Sequence, residues 1–408
     1  MRTFTTICRH LTASLGLCLL AGCGASIGQP PVTTGALNMA MPASAAKLAP
    51  IKIAMLLPLG GLDQPARIAK AMKQAGEMAL FDLNNPQAQI VVKDDKGTPE
   101  GARAAAGEAL REGAEIVLGP LQATAVTGAA PVTRAANVPL ISFSNDRTIA
   151  GNGVYLMSFL VEPEVDRVVS FAVAQGKRRF AALIQADAYG TVVEQAFRAA
   201  VQRHGGTIVA LETYPAQANA MLAPAKRVVG TIAQAERTSQ PVDAFFVPGT
   251  PETLSRLGPL LTYSGLNTSR VKLLGTGAWN FSAVGRDSVF IGGWYPGPDP
   301  RGFRDFSERF AKTFGAAPPR IASLAYDAVS AAVSLGANPA GLRFVPANLT
   351  RPTGFAGVDG TVRFGHDGLS ERGLAILEVQ NFGETIVDPA PVIGQASRLS
   401  QAEGSTLN

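Results

Sequence analysis

Residues 51–57, Ile51-Lys52-Ile53-Ala54-Met55-Leu56-Leu57, and the helical face that follows them, Ile68, Met72, Ala75, Ala79 and Leu83, decide the fold class. The first run is almost wholly apolar, as in a strand covered on both faces. The second set recurs at spacings of four, three, four and four, which is one side of a 3.6-residue helix. The alternation continues, with strands over 89–92, 114–119 and 138–142 and helices over 98–112 and 123–136. It then restarts. Helices over 162–175, 191–204, 218–237 and 253–261 alternate with strands over 179–184, 207–211, 242–247 and 271–274. After Val289-Phe290-Ile291-Gly292 come helices over 302–314 and 321–335, and residues 354–387 read as antiparallel strands with Gly-rich turns. The pattern predicts an α/β fold with two successive lobes, each a mostly parallel sheet flanked by helices.

Composition narrows the function classes. The chain has 408 residues, 47% hydrophobic and 16% charged, which excludes wholesale disorder. Its net charge of +5 comes without a long basic run, which argues against nucleic acid as a partner. The motifs H-E-x-x-H, G-x-S-x-G and the P-loop are absent, and Gly151-Asn152-Gly153 and Gly275-Thr276-Gly277 lack the third Gly of a dinucleotide fingerprint. Ser44-Ala45-Ala46-Lys47 spells S-x-x-K without its partner motifs. His204 and His366 make no local metal spacing. The expectation is a protein that is not an enzyme and carries no cofactor or metal.

The three cysteines, Cys8, Cys18 and Cys23, all lie near the N-terminus. A basic head (Arg2, Arg9) precedes an apolar stretch over 11–21, the layout of a secretory signal. Leu20-Ala21-Gly22-Cys23 resembles the lipobox of bacterial lipoproteins, in which the Cys is acylated and becomes the mature N-terminus. On this reading residues 1–22 are a signal peptide, 23–47 a flexible linker and 391–408 a disordered tail. Loss of Arg2 and Arg9 leaves a net charge of +3. Cys23 then tethers the body to a bacterial membrane, the outer one in preference to the inner, facing the periplasm.

Several stretches together resemble the type I periplasmic binding proteins of the leucine/isoleucine/valine-receptor kind. They are Val117-Leu118-Gly119-Pro120, Val138-Pro139-Leu140-Ile141-Ser142, Asp187-Ala188-Tyr189-Gly190, Ala325-Tyr326-Asp327-Ala328-Val329 and the Gly-x-x-Gly-x-x-x-Phe turn over 357–364. The resemblance implies two lobes joined by a three-crossover hinge, closing on a small, amino-acid-like ligand. Crossovers near Leu160, Trp294 and Thr350 would give one lobe of 48–160 plus 295–349 and another of 161–294 plus 350–390. A shortened connection at Phe81-Asp82-Leu83-Asn84-Asn85-Pro86 is similar to the lipoprotein activators of penicillin-binding proteins. The leading expectation is therefore a regulator of cell-wall synthesis that docks on a penicillin-binding protein. The alternative is a solute receptor that delivers branched-chain or other amino acids to an ABC permease.

Ligands of open α/β sheets bind beyond the carboxyl ends of the strands. The loops there nominate Gln122 and Thr124, which can hydrogen-bond a ligand carboxylate or simply cap a helix, and Ser142 and Ser144. From the second lobe they nominate Tyr189, as a cover over the ligand, and Glu252, either a partner for an ammonium or a first-turn acid. Trp279, Trp294 and Tyr295 are interlobe or core candidates.

Overall fold

The computed structural model describes residues 50–391 and 393, apart from Leu62 and Ser282. The expected signal peptide, Cys23, the expected linker with Ser44 and Lys47, and nearly all of the expected tail over 391–408 lie outside the described residues. In chain order the first sheet is built from β1 (Ile51–Leu57), α1 (Gln64–Leu83), β2 (Ala88–Asp94), α2 (Pro99–Arg111), β3 (Ile116–Leu118), α3 (Ala123–Ala135), β4 (Leu140–Ser142) and β5 (Val154–Leu156). Its strands are all parallel, in the order β2-β1-β3-β4-β5. The second unit follows as α4 (Val161–Ala174), β6 (Arg179–Gln185), α5 (Ala188–Arg203), β7 (Thr207–Tyr214), α6 (Leu222–Arg237), β8 (Ala244–Phe246), α7 (Pro251–Tyr263), β9 (Lys272–Leu274) and β10 (Trp294–Gly297). The chain then returns through α8 (Pro300–Phe314), α9 (Ala322–Leu335) and α10 (Pro346–Leu349). Last come β11 (Phe355–Gly357), β12 (Gly360–Phe364), β13 (Ser370–Arg372), β14 (Ala375–Val379) and β15 (Glu384–Asp388). The second sheet runs β15-β14-β10-β9-β8-β6-β7, parallel from β10 to β7, with β14 and β15 antiparallel at one edge.

Each sheet is covered on both faces, as continuous apolar strands require. In the first, Ile53, Met55 and Leu57 point to one side and pack under α1, α8 and α9; Ala54 and Leu56 point to the other, under α2 and α3. In the second, α4 and α5 cover one face and α6 and α7 the other. The helices start where a short polar side chain can satisfy a free N–H: Asp63, Thr98, Asp187, Thr250 and Asp299 each accept a bond from the first turn that follows. Only four residues separate α1 from β2, so the connection is short, and Asn84 ends the helix in a left-handed conformation (φ 44°). Leu83, expected on the buried face, is 42% exposed because it closes the last turn.

Chain passage between the sheets departs from the expected boundaries in two places. Residues 295–297 belong to β10 of the second sheet. Residues 355–372, assigned to the second lobe, instead form a three-stranded antiparallel sheet on the first core, because Phe355, Val362 and Phe364 complete that core. The last crossover therefore falls between Arg372 and Ala375, not near Thr350. At the first crossover, Leu160 packs in the first unit and Val161 in the second. Trp279 and Tyr295 are buried in the second core, and the Trp294 indole N–H donates to Glu378 Oε2 at 3.0 Å. Among the described residues no helix is long and apolar enough to cross a membrane.

Candidate functional site

The carboxyl ends of the first sheet's strands meet the N-terminal turns of the second unit's helices across a cavity of about 520 Å³. Leu121, Phe143, Ser144, Asn145, Ser158 and Phe159 follow β3, β4 and β5, and Arg320, Ile321 and Leu324 lie at the start of α9. Facing them are Val161 and Glu164 of α4, Tyr189 of α5 and Thr250 at the cap of α7. Gly277, Ala278 and Asn280 follow β9, and Gly297 and Pro298 come at the end of β10. The walls are mainly apolar, with a few convergent polar groups, as small-molecule sites are.

Glu164 is the one carboxylate among the described lining residues and Arg320 the one cation. Glu164 is 8% exposed, and its Oε2 accepts the Gly277 N–H at 3.0 Å. Burial raises its pKa to about 7, against the opposing effects of that hydrogen bond and of Arg320. The close approach needs a glycine: a Cβ on residue 277 would lie 2.5 Å from Glu164 Oε1. Arg320 is held by Asp359, with Nη1 donating to Oδ2 at 2.9 Å and Nη2 to Oδ1, and its guanidinium stacks over Phe303 at 4.2 Å and Phe159 at 5.0 Å. The site thus combines a compensated cation with a carboxyl poised between its two protonation states at neutral pH.

The residues nominated by sequence divide. Ser144 and Tyr189 line the cleft. The Ser144 hydroxyl accepts the Asp146 N–H at 3.2 Å, and the Tyr189 hydroxyl lies 3.4 Å from Thr276 Oγ1. Burial raises the Tyr189 pKa to about 12. Ser142 does not reach the cavity: fully buried, its Oγ donates to Pro120 O and accepts from Ser144 N, both at 3.0 Å, so it ties the ends of β3 and β4 together. Gln122 lies against Gly97, Thr124 is exposed on α3, and neither lines the cleft. Glu252 is also exposed and outside it, and its pKa is lowered by hydrogen bonds from its own N–H and from Thr250. The neighbouring Thr253 instead donates to Gln185 Oε1 at 3.2 Å. Sequence reasoning missed Glu164, Arg320, Phe159 and Thr250. Glu164 carried one signal, an acid in the first turn after a crossover, where such residues commonly compensate the helix dipole.

Residues 50–384 match the family model described as Periplasmic binding protein. The chain belongs to this family. The predicted family and the predicted two-lobed α/β architecture both hold. A search of curated proteins finds no match. Among solved structures, a putative branched-chain amino acid ABC transporter protein from Rhodospirillum rubrum is similar in fold, with a TM-score of 0.71 at 19% identity over 83% of this chain and 100% of that one. A leucine binding protein from Thermotoga maritima gives 0.58 at 15% over 83% and 98%. A solute binding protein of an ABC transporter from Rhodopseudomonas palustris BisB5, solved with 3,4-dihydroxybenzoic acid, gives 0.59 at 18% over 85% and 99%. Two of these three neighbours are described as binding proteins, one for leucine and one for a solute. Among the described residues no cluster of three or more His, Cys, Asp or Glu is placed to hold a metal ion.

Proposed function

We propose that this protein is the ligand-capturing receptor of an ABC transporter and that its cleft takes an amino acid with an apolar side chain. The observation that carries the reading is Glu164, a lone buried carboxyl in an otherwise apolar cavity. An ammonium beside it favours the ionised form and supplies the counter-charge that burial withholds. The ligand carboxylate faces Ser144 and Asn145, and the side chain lies against Leu121, Phe143, Phe159 and Leu324. Closure of the two units expels water, strengthens these contacts and buries Tyr189 against the ligand. Solute receptors recur among the fold relatives, which supports delivery to a permease over the cell-wall regulator that the short α1–β2 connection suggested. The reading includes a periplasmic location and lipid attachment through Cys23, with binding and no catalysis.

A second reading rests on Phe143, Phe159 and Tyr189, whose rings also suit an aryl carboxylate. Calorimetry separates the two. For L-leucine we expect micromolar binding that Glu164→Gln weakens by about tenfold or more and Tyr189→Ala abolishes. An amino acid bound equally well by Glu164→Gln would refute the ammonium assignment. Benzoate binding that improves in that variant would establish the second reading. Absence of binding by either class, with a peptidoglycan synthase co-purifying, would return the regulator.

A further inference from the structure

A second cavity, about 560 Å³ and as large as the cleft, lies at the opposite end of the first sheet. Ala114 and Glu115 precede β3, Val138 and Pro139 precede β4, and Gly153 precedes β5, so this cavity opens at the amino ends of the same parallel strands whose carboxyl ends form the cleft. The segment after α9, from Gly341 to Pro346, closes the far side. Nothing in the receptor activity accounts for it.

Its chemistry is asymmetric. Arg343, 1% exposed, is neutralised by Glu115, its Nη1 donating to both carboxylate oxygens at 2.9 and 3.2 Å. Arg134 donates through Nε to the Asn152 carbonyl at 3.0 Å and has no carboxylate partner among the described residues. The lining therefore carries one uncompensated positive charge. Tyr155, 6% exposed and held by its tilted packing against Phe364 at 5.5 Å, also lines the cavity, and its hydroxyl has no hydrogen-bond partner among the described residues. The hydroxyl is accessible from the cavity, so the wall offers a donor to an acceptor that enters it. Val138, Pro139, Phe344 and Pro346 supply an apolar floor.

We propose that this cavity is a second binding site, for a small monoanion with an apolar body, such as an aryl or branched aliphatic carboxylate. Its anionic group pairs with Arg134 and accepts from Tyr155, while the body displaces water from the Phe344 and Pro139 surface. The site is separate from the cleft and does not depend on which solute the cleft takes.

The test is a fluorine NMR titration of the protein with 4-fluorobenzoate, read beside crystals soaked in 4-bromobenzoate. The expected result is bromine density between Arg134 and Phe344, and a solution affinity that Arg134→Glu weakens by about tenfold or more. Arg134→Lys, which keeps the charge, retains most of that affinity, and Tyr189→Ala leaves this component intact. Tyr155→Phe, which removes only the hydroxyl, weakens it by a smaller factor. The proposal is overturned if all binding disappears with Tyr189→Ala and none with Arg134→Glu. Density in the cavity without solution binding would be binding at crystal concentration only, and would overturn it too. So would a cavity holding only water.

Discussion

Replacing Glu164 by Gln tests the electrostatics of the cleft apart from any ligand. The Glu164 carboxyl titrates at about 7 in the folded protein, against an ordinary 4.5. Between those values the native state holds a proton that the unfolded chain has released, so stability falls as pH rises through this window. The shift corresponds to about 3 kcal/mol, absent below pH 4.5 and fully expressed above pH 7. Glutamine keeps an oxygen for the Gly277 N–H and carries no charge to desolvate. Urea denaturation of the ligand-free protein at pH 4.5 and pH 8 should show the two proteins nearly equal at the lower pH. At pH 8 the variant should be the more stable, by about 3 kcal/mol or somewhat less if the native cleft relaxes around the charge. Ligand binding extends the test. At pH 7 a cationic group beside Glu164 drives off about half a proton, whereas an anion draws about half a proton in, so titrations in buffers of different ionisation enthalpy give opposite signs. A variant less stable than the parent by the same amount at both pH values would refute the reasoning. It would mean that Glu164 acts only as a hydrogen-bond acceptor.

Four further outcomes follow from the same geometry. Arg372→Ala strips the partner from Asp327, which is buried with its pKa raised to about 6, and should cost about 3–5 kcal/mol in a denaturation midpoint series. Gly119→Ala should cost about 1–3 kcal/mol from backbone strain alone, since φ is +96°, and more because its Cβ would lie 2.1 Å from Leu56 O; the urea midpoint reads it. Ser144→Ala should weaken ligand binding by about tenfold, while Glu252→Ala, exposed and outside the cleft, should leave the calorimetric affinity within about twofold. Cys23→Ser should yield a chain without acyl mass that no longer fractionates with membranes, read by intact-mass spectrometry and fractionation.

Much of this architecture was legible because burial on both faces of a parallel sheet writes itself as apolar runs. β1, with every residue but Lys52 fully buried, was read to its ends. The strands that escaped are short and irregular: Val154–Leu156 follows a Gly-Asn-Gly turn, and Trp294-Tyr295-Pro296-Gly297 ends in a Pro and a Gly. The third crossover was misplaced for a different reason. The β11–β13 strands look, residue by residue, like the β14 and β15 strands beside them, and only the tertiary fit of Phe355 and Phe364 assigns them to the first core. The site was half legible. Loop position located Ser144 and Tyr189, but it equally nominated Ser142, whose hydroxyl is spent on Pro120 O. Glu164 showed in sequence only as a first-turn acid and Arg320 not at all, because their surroundings come from neighbours 113 and 39 positions away, Gly277 and Asp359.

On the proposed reading, those distant neighbours also connect the cleft to the passages between the two sheets. Arg320 lines the cavity, yet its guanidinium stacks between Phe159, one residue before the first unit ends, and Phe303, in the first turn of α8 just after the second crossover. Its carboxylate partner Asp359 belongs to the turn between β11 and β12, and Arg372, the last residue of β13, also lies over Phe159 at 5.2 Å while pairing with Asp327. All three passages between the sheets thus converge on one cluster of two guanidinium groups, two carboxylates and two rings. Buried ion pairs of this kind are sensitive to the loss of a partner and to small changes in geometry. A charge arriving beside Arg320 acts on the residues that set the angle between the units. It can favour the closed form only through a difference in these contacts between open and closed states. Glu164, across the cleft from Arg320, is the one carboxyl among the described residues of the second unit's wall, so on the proposed reading closure on a ligand would be linked through this cluster to the protonation of a single carboxyl.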